Sequence, residues 1–469
     1  MNNQVLLLFF INIFSAMGYS LIAPLYPSLS TEHHINETLT GWIISIFALS
    51  NFISTPFTPN LCQKYGRKNI FYLSTITEAS CTLFYGILKI INSYYLLITL
   101  SFILRILHGI GCGITATLLY SLTSSICDSD EVKLSLGYLE VAWSIGVATG
   151  PLLGSFFYYL GGYSLPFFIL GLSLYISVFL IHYLSLPIED NNDENNFSFI
   201  QIMFKKDIFI NILTVVTYQI ANTFYFPSLT NHLMKNFNLT VSISSLFFVI
   251  NMFTYFIALQ FLDYITKKLG MIATVSFGLL IIIFGSLLVY PIKIFPQSLL
   301  LIILGLSLIG ASGAPINVPV IMLLGHFIKI NDNSIDEFTA NDIASALYNL
   351  GINIGDFGGP IVGGFISDQF GFQFSCIFTS FLNLVLFIIY FGIYFNVILR
   401  EIGVSNDDNN KKLIFDEEDI NKEFNKNSSY SSFGSLKFVS QRKHTSFISI
   451  HRIESKENSI RKSYEDDFY

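Results

Sequence analysis

Five ionisable residues lie inside stretches of the chain that are otherwise apolar. They are Glu78, Arg105, His108, Glu140 and Asp356. A charge at the centre of a bilayer costs about 2.5–3.5 kcal/mol on insertion scales, so each of these side chains needs a partner or a function. A carboxyl group withdrawn from water can exchange a proton for an ammonium group. The set therefore indicates a site inside a membrane that binds cations or protons.

Glu140 is the first candidate for a residue that binds substrate or couples its movement to protons. It lies ten residues before Gly150, on a segment whose glycines predict close helix packing. Asn349 is its equivalent in the internal repeat described below, so this acid belongs to the first half of the chain alone. The alternative is a structural ion pair between Glu140 and Arg105 without substrate contact.

Arg105 and His108 are three positions apart and therefore share one face of a helix. Arg105 either orients Glu140 or packs against backbone carbonyl groups. The imidazole of His108 titrates near neutral pH, which suits a proton relay, although a single histidine of this kind is more often a packing residue. Both are candidates for the coupling site.

Asp356 and Asn12 complete the candidate substrate or proton site. Asp356 either faces the cavity opposite Glu140 or caps a helix break near Pro360. Glu78 is expected either to extend partly towards the membrane surface or to bond to a neighbouring helix. Other polar or aromatic residues that can line the same cavity are Tyr19, Trp143, Gln219, Asn222, Asn317, Tyr348 and Asn353.

The elements that position these residues are twelve apolar runs, each long enough to cross a bilayer as a helix of about 20 residues. They cover residues 4–28, 40–59, 69–91, 94–119, 133–159, 164–186, 207–233, 241–264, 271–293, 297–328, 338–366 and 372–399. A polar stretch at 189–194 separates the first six runs from the last six. We therefore expect an all-α integral membrane protein with twelve transmembrane helices in two pseudo-symmetric six-helix bundles.

The predicted domains follow this division. Residues 1–186 form the first bundle, 187–206 a cytoplasmic linker, 207–399 the second bundle and 400–469 a disordered cytoplasmic tail. Of the 57 charged residues, 24 lie in the last 69 residues of the chain. This tail also has too few apolar residues to fold on its own.

The composition excludes several classes of protein. Of 469 residues, 52% are hydrophobic and only 12% are charged, whereas a soluble domain carries roughly 25% charged residues. A formal net charge of −7 argues against nucleic acid as a partner. The apolar runs contain no His-rich metal cluster and no Ser/His/Asp set, so we expect neither an enzyme nor a bound metal or cofactor.

An internal repeat supports the division into two halves. The pattern Gly-x-x-x-Gly-Pro-x-x-Gly occurs in the fifth run of each half, 209 residues apart. Its residues are Gly146, Gly150, Pro151 and Gly154 in the first half and Gly355, Gly359, Pro360 and Gly363 in the second. Small residues let helix backbones approach closely, and repeated halves around a central site are the architecture of secondary transporters. We expect these segments to shape the interface between the two bundles.

Basic residues in a short loop predict the orientation. Lys64, Arg67 and Lys68 lie between the second and third runs, and an excess of Lys and Arg marks cytoplasmic loops. Both chain termini then lie in the cytoplasm. The sequons that begin at Asn36 and Asn238 fall on the opposite, luminal face and are candidates for N-glycosylation.

Several of these segments resemble the major facilitator superfamily. Residues 59–68 are similar to its loop pattern Gly-x-x-x-Asp-Arg-x-Gly-Arg-Arg/Lys, although Pro59 and Gln63 depart from it. The residues that match the basic end of the pattern are Lys64, Gly66, Arg67 and Lys68. Residues 105–111 resemble the family's Arg-x-x-Gln-Gly-x-Gly, with His108 in place of Gln. The glycine-proline pattern of the fifth run is similar to the motif of its antiporter branches.

A closer likeness is to the vesicular amine transporter family, above all its vesicular polyamine transporter branch. It is carried by residues 11–27, 136–141, 226–229 and 234–237. The monoamine and acetylcholine members bear an Asp in the first span, which this chain lacks there. The resemblance implies proton-coupled antiport of an organic cation by alternating access. It also implies that Glu140 faces the cavity, and that the membrane is vesicular, lysosomal or another endomembrane.

Two other interpretations stay open at this point. A fold does not determine a substrate, so the chain can instead carry a drug, a sugar or an organic anion by uniport or symport, with Arg105 holding an anion. The second is a receptor or scaffold built on a transporter fold. The expected partners are a small-molecule substrate, protons and the lipid bilayer, and the protein is expected to be monomeric.

Overall fold

The computed structural model describes residues 3–126, 129–181, 202–290, 297–331 and 337–401. Within these segments the regular structure is helical and contains no strand. The predicted linker lies outside the described residues up to residue 201, and the predicted tail lies outside them from residue 402 onwards. The helices that carry the candidate site are all described.

The described part of the first half consists of seven α-helices. They are α1 (Asn3–Glu32), α2 (Glu37–Ser54), α3 (Thr58–Tyr65), α4 (Arg67–Ile87), α5 (Tyr94–Ile126), α6 (Ser129–Gly161) and α7 (Ser164–Ile181). A 3-10 turn at Thr55–Phe57 joins α2 to α3. Pro56 and Pro59 stand at the starts of this turn and of α3, where their missing N–H groups are tolerated. The second predicted span is therefore α2 and α3 together.

The described part of the second half also consists of seven α-helices. They are α8 (Lys206–Thr223), α9 (Leu229–Phe237), α10 (Val241–Leu269), α11 (Met271–Val289), α12 (Leu299–Asn331), α13 (Glu337–Phe370) and α14 (Phe372–Glu401). The run that we predicted over 207–233 is interrupted at 224–228. Pro227 explains the interruption, because proline lacks an N–H and disfavours the helical conformation of the preceding residue.

Eight helices in the described segments are long and apolar enough to cross a membrane by length and composition alone. Of the other four predicted spans, α7 is apolar but has only 18 residues. The remaining three, α4, α8 and α13, carry more polar residues along their length. With these four, each half has six spans, as the apolar runs predicted.

The repeated glycines pack the fifth span of each half against the first span of the same half. A Cβ atom at Gly146 would overlap the carbonyl oxygen of Ile13 on α1, and one at Gly363 would overlap that of Phe224, just after α8. The other motif glycines have the same neighbours: Gly150 meets Ser20, Gly154 meets Leu21, Gly355 meets Gln219 and Gly359 meets Thr223. Only glycine permits such close backbone approach.

Each glycine of the pattern therefore joins two helices of one bundle, and these segments meet the opposite bundle through other residues. Residues beside them make the contact between bundles. A Cβ at Gly41 of α2 would overlap the carbonyl oxygen of Pro360, and one at Gly364 would overlap that of Glu37. Pro360 is thus the member of the pattern that meets the opposite half.

Candidate functional site

Glu140 lies where helices from both halves converge. Its carboxylate, on α6, accepts a hydrogen bond from the hydroxyl of Tyr120 on α5. Tyr255 on α10 and Tyr348 on α13 lie close enough to interact electrostatically with it. The side chain is nevertheless exposed to solvent. Glu140 thus combines solvent exposure with a position among helices of both halves.

Three tyrosines of the second half, Tyr218, Tyr255 and Tyr348, form a group that we call the tyrosine cluster. The hydroxyl groups of Tyr218 and Tyr255 both lie close to the side chain of Asn317 on α12, and Tyr348 interacts with both of them. Gly313 lies one turn before Asn317 and makes room for the cluster, because a Cβ there would overlap the hydroxyl of Tyr218. Aromatic ring faces attract ammonium groups.

Asp356 faces the site from the second half. Gln219 Nε2 on α8 donates to its Oδ1 at 2.7 Å, and the hydroxyl of Tyr19 on α1 lies close to it. The carboxylate therefore joins helices from both halves. Since α13 continues unbroken through Pro360, Asp356 does not cap a helix break. The half-buried side chain instead contacts α8 through Gln219.

Arg105 is buried beneath aromatic rings and is only 1% exposed. Its guanidinium carbon lies 4.3 Å from the ring centroid of Phe47 and 5.9 Å from that of Tyr19. Its Nε donates to the carbonyl oxygen of Ile44 at 3.4 Å. Among the described contacts, Arg105 bonds to a backbone and an imidazole, and Glu140 bonds to a tyrosine. The ion pair between the two that the sequence left open is therefore not formed in this structure.

His108 is fully buried next to Arg105. Its Nδ1 lies 3.5 Å from an Arg105 guanidinium nitrogen, and its ring packs edge-on against Phe47, with centroids 5.2 Å apart. A guanidinium group can only donate, so Nδ1 accepts and Nε2 carries the proton of a neutral imidazole. His108 thus lies behind the cavity wall, and any part in coupling has to pass through its neighbours.

The asparagines of the predicted site differ in their surroundings. Asn12 is buried, and its Nδ2 donates to the carbonyl oxygen of Leu139 at 2.7 Å, so it positions the residue before Glu140. Asn349 is exposed, like its repeat equivalent Glu140. The backbone oxygen of Asn349 accepts from Asn353 Nδ2 at 2.8 Å.

The remaining predicted lining residues divide into two groups. The ring of Trp143 stacks on Tyr19 with centroids 5.8 Å apart, beside the Asp356 carboxylate. Asn222, in contrast, is buried and accepts from Asn251 at 2.9 Å. Sequence reasoning missed Tyr120, Tyr218 and Tyr255, because nothing in the sequence separates them from the other tyrosines, 25 in all.

Polar contacts between the two halves cluster at one end of the cavity. The carboxylate of Glu37, at the start of α2, accepts hydrogen bonds from Ser228 at 2.5 Å and from Ser367. Beside it, Thr38 Oγ1 donates to Asp368 at 2.9 Å. Two further bonds join the halves, from Ser155 to the Ser242 carbonyl and from Thr230 to the Pro24 carbonyl. These contacts hold the two halves together at this end.

The basic loop of the superfamily pattern lies between α3 and α4. Gly66 has a φ of +85°, which glycine adopts without strain and other residues rarely do. Its N–H donates to the carbonyl oxygen of Cys62 at 2.8 Å, so the loop turns sharply. Lys64 lies over the ring of Tyr65 at 5.1 Å, and Arg67 and Lys68 begin α4.

Both sequon asparagines are exposed. Asn36 is the N-cap of α2, where its Oδ1 accepts from the backbone N–H of Leu39 at 2.9 Å. Asn238 adopts the left-handed conformation, with a φ of +53°, at the end of α9. The acceptor nitrogen of each side chain is thus left on the surface.

The family profile of the Major Facilitator Superfamily matches residues 8–329 and 212–437. The chain belongs to this superfamily. It is therefore a membrane transporter of small molecules and not an enzyme. This membership confirms the fold class and the superfamily resemblance inferred from the sequence.

Two curated relatives illustrate the range of similarity. The chain is 25% identical over 374 residues to the "MFS-type transporter SLC18B1" of Homo sapiens. The alignment covers 77% of this chain and 79% of the relative. The chain is 27% identical over 188 residues to "Multidrug resistance protein 2" of Bacillus subtilis (strain 168), which covers 39% and 44% of the two chains.

Solved structures support the fold. The chain is similar to the nucleoside transporter NupG, with a TM-score of 0.67 and 12% identity over 84% of this chain and 99% of that one. It is also similar to a bacterial homologue of the human lysosomal transporter Spinster. In that case the TM-score is 0.67 and the identity 13%, over 85% of this chain and 98% of that one.

Proposed function

We propose that this transporter exchanges protons for an organic cation, with a polyamine as its substrate. The observation that carries the proposal is that the charged groups accessible in the cavity are negative. In the described part of the cavity wall, Glu140 is exposed and Asp356 is half-buried, whereas Arg105 lies buried beneath Phe47 and Tyr19. A cavity with this charge attracts cations and repels organic anions.

The two carboxylates lie at different positions along the helix axes, and this separation favours a substrate with more than one ammonium group. Asp356 lies seven residues beyond Asn349, the repeat equivalent of Glu140. Seven residues of helix correspond to a rise of about 10 Å, at about 1.5 Å per residue. A small monoamine reaches one carboxylate at a time, whereas a linear polyamine reaches both. The tyrosine cluster adds ring faces that bind ammonium groups.

The exchange follows from competition at Glu140. A proton and an ammonium group both neutralise this carboxylate, so binding one releases the other. With both termini in the cytoplasm, the closed end at Glu37 is luminal and the cavity opens towards the cytoplasm. In this arrangement the deprotonated site loads a cation from the cytoplasm. After the bundles rock, luminal protons displace it.

The proposed location is a vesicular, lysosomal or other endomembrane with an acidic lumen, because only an acidic lumen supplies the protons for this direction of exchange. The exposed Asn36 and Asn238 are then luminal glycosylation sites. A single chain holds both carboxylates and the tyrosine cluster, so we propose that it works as a monomer.

The test is uptake of labelled spermidine into proteoliposomes with an acidic interior. We expect uptake that disappears when a protonophore collapses the gradient. Glu140→Gln should abolish gradient-driven uptake. Glu32→Gln is the matched control, because Glu32 is an exposed acid paired with Lys89 on the surface. Uptake of a labelled dicarboxylate without uptake of spermidine would show that the assignment of the carboxylates as binding groups is wrong.

A further inference from the structure

Glu78 is an acid that the proposed exchange does not use, because it is fully buried inside the first bundle. Ser15 Oγ on α1 donates to its Oε2 at 2.5 Å. Its other oxygen, Oε1, has no hydrogen-bond partner among the described residues. A buried carboxylate with one oxygen unpaired and no cation in contact is costly, and the cost is removed when the group binds a proton.

His108 presents the complementary unpaired atom. Its Nδ1 accepts from Arg105, so its Nε2 carries a proton. Within the described residues that Nε2–H has no acceptor, and it is fully buried. The interior of the first bundle therefore contains one unpaired donor and one unpaired acceptor, although buried polar groups are nearly always paired.

The two unpaired groups lie in the seam between α1, α4 and α5. A Cβ at Gly111 would lie 3.0 Å from Glu78 Cγ, and a Cβ at Gly18 would lie 3.5 Å from both His108 Nε2 and Thr82 Oγ1. Thr82 is one turn beyond Glu78, and its Oγ1 donates to the Glu78 carbonyl at 2.8 Å. Likewise, Gly111 is one turn from His108 on α5.

One helical turn, about 5 Å, therefore separates the two groups along the seam. This separation suits one water molecule that accepts from His108 and donates to Glu78, and buried waters typically occupy such positions. Gly111 is also explained, because any side chain there would crowd the Glu78 carboxyl group.

We propose that Glu78 and His108 hold one water between them and that Glu78 binds a second exchangeable proton of the transport cycle. Glu78 is the group that takes the proton, as a carboxylate that becomes a carboxylic acid, and no other bond forms or breaks. His108 is a positioning residue that orients the water. This inference rests on the proposed proton-coupled function.

The charges that can influence the proton on Glu78 come from the titratable groups around it. Cys81 on α4 and Cys112 on α5 both interact electrostatically with Glu78. The nearest cation is one layer further away, at Arg105 behind His108. Glu78 therefore has no counter-ion in contact that would hold it in the charged form.

The other neighbours of Glu78 carry no charge. Ser15 comes from α1, and α7 contributes the apolar Leu174 near Gly18. Thr115 on α5 also lies near the carboxyl group, but its hydroxyl donates to Ser74 at 2.9 Å. Since none of these neighbours donates to Oε1, a water molecule in the seam is the donor that remains available to it.

A chain of contacts connects this pair to the cavity. His108 contacts Arg105, the guanidinium group of Arg105 lies near the ring of Tyr19, and the hydroxyl of Tyr19 lies close to Asp356. A cation that arrives at Asp356 therefore changes the field that holds Arg105 and His108. The proton on Glu78 can in this way respond to substrate without touching it.

The experiment combines infrared difference spectroscopy with a proton count on the full chain in liposomes. In the wild type we expect a carboxylic-acid C=O band that changes when spermidine is added. Glu78→Gln should lose this band, retain spermidine binding and transport one proton fewer per spermidine. Glu32→Gln, the surface control, should retain both the band and the count.

His108→Phe provides a second test that does not depend on the folding of Glu78→Gln. Loss of the Nε2 donor should shift the Glu78 band and leave spermidine binding at Glu140 unchanged. An unchanged proton count in Glu78→Gln, together with a band that His108→Phe does not move, would overturn the inference. If the wild type itself shows no gradient-driven uptake, the proposed function fails instead, and the band still reports on Glu78.

Discussion

The helices α6 and α13 are equivalent in the internal repeat, and they agree in packing but differ in charge. Each presses its glycines against the first span of its own half, α1 or α8. On the exposed face, however, Glu140 corresponds to Asn349, and Asp356 corresponds to Val147. Backbone contact tolerates only glycine at the packed positions, whereas the exposed face tolerates many side chains. The two halves therefore share the same helix packing but carry their acidic side chains at different positions.

The two acids also differ in the contacts that they make across the halves. Glu140 bonds to Tyr120 of its own half and lies near tyrosines of the second. Asp356 bonds to Gln219 of its own half and lies near Tyr19 of the first. In the proposed cycle, rocking of the two bundles would change the second partner in each case. Both carboxylates would then have different surroundings in the two states.

The largest expected effect comes from breaking the shared packing. Gly146→Ala and Gly363→Ala each force a Cβ into a backbone carbonyl oxygen, and overpacking of this kind costs about 1–3 kcal/mol or more. We expect a similar loss of thermal stability in the two halves, measured by unfolding in detergent. Gly358→Ala is the control, because its nearest neighbours are 3.8 Å away. Equal stability of all three variants would refute symmetric packing.

The second prediction concerns the difference in charge between equivalent positions. Glu140→Gln should weaken spermidine binding by about 10- to 100-fold, since a hydrogen bond to a charged group contributes about 1.5–3 kcal/mol. Asn349→Gln should leave binding within about twofold of the wild type, because no charge is lost. Equilibrium binding of labelled spermidine measures both. Similar losses in the two variants would mean that the halves are chemically alike at this height.

The third prediction distinguishes the role of Asp356 from that of Glu140, which lies at a different depth in the cavity. Asp356→Asn should weaken binding of spermidine by about tenfold, which corresponds to about 1.4 kcal/mol. It should have little effect on a short monoamine that is held at Glu140 alone. Competition of each amine against labelled spermidine makes the comparison. If both amines lose affinity equally, Asp356 does not hold a second ammonium group.

The smallest effect is expected from the hydroxyl group that positions Glu140. Tyr120→Phe removes one hydrogen bond to the carboxylate, a change of about 0.5–1.5 kcal/mol. Spermidine affinity should therefore change by less than about tenfold. Tyr95→Phe is the matched control, because Tyr95 is 81% exposed on the surface. An effect of Tyr120→Phe as large as that of Glu140→Gln would mean that the hydroxyl itself binds the substrate.

The sequence predicted those features that depend on local pattern. The apolar runs predicted the helices, and the spacing of Glu140 and Asp356 within the repeat placed both acids on equivalent helices. Pro227 is a residue type that interrupts helices, but the apolar residues on both sides of it made the seventh run look like one continuous helix. The partners of Gly146 and Gly363 could not be predicted, since small residues indicate close packing without indicating which helix approaches.

The tyrosine cluster could not be predicted for a related reason. Tyr218, Tyr255 and Tyr348 lie on three different helices, and only the tertiary arrangement brings them together. The same holds for the seam that joins Glu78 to His108. Its residues are far apart in the chain, and nothing marks its glycines as special until their neighbours are known.

Proton release on substrate binding tests the central claim most directly. Spermidine is added to purified protein in weakly buffered detergent solution, and the change in pH is recorded. We predict that the wild type releases protons in proportion to the spermidine bound, and that Glu140→Gln releases fewer. Binding of spermidine without any release of protons would contradict the competition at Glu140 on which the account depends.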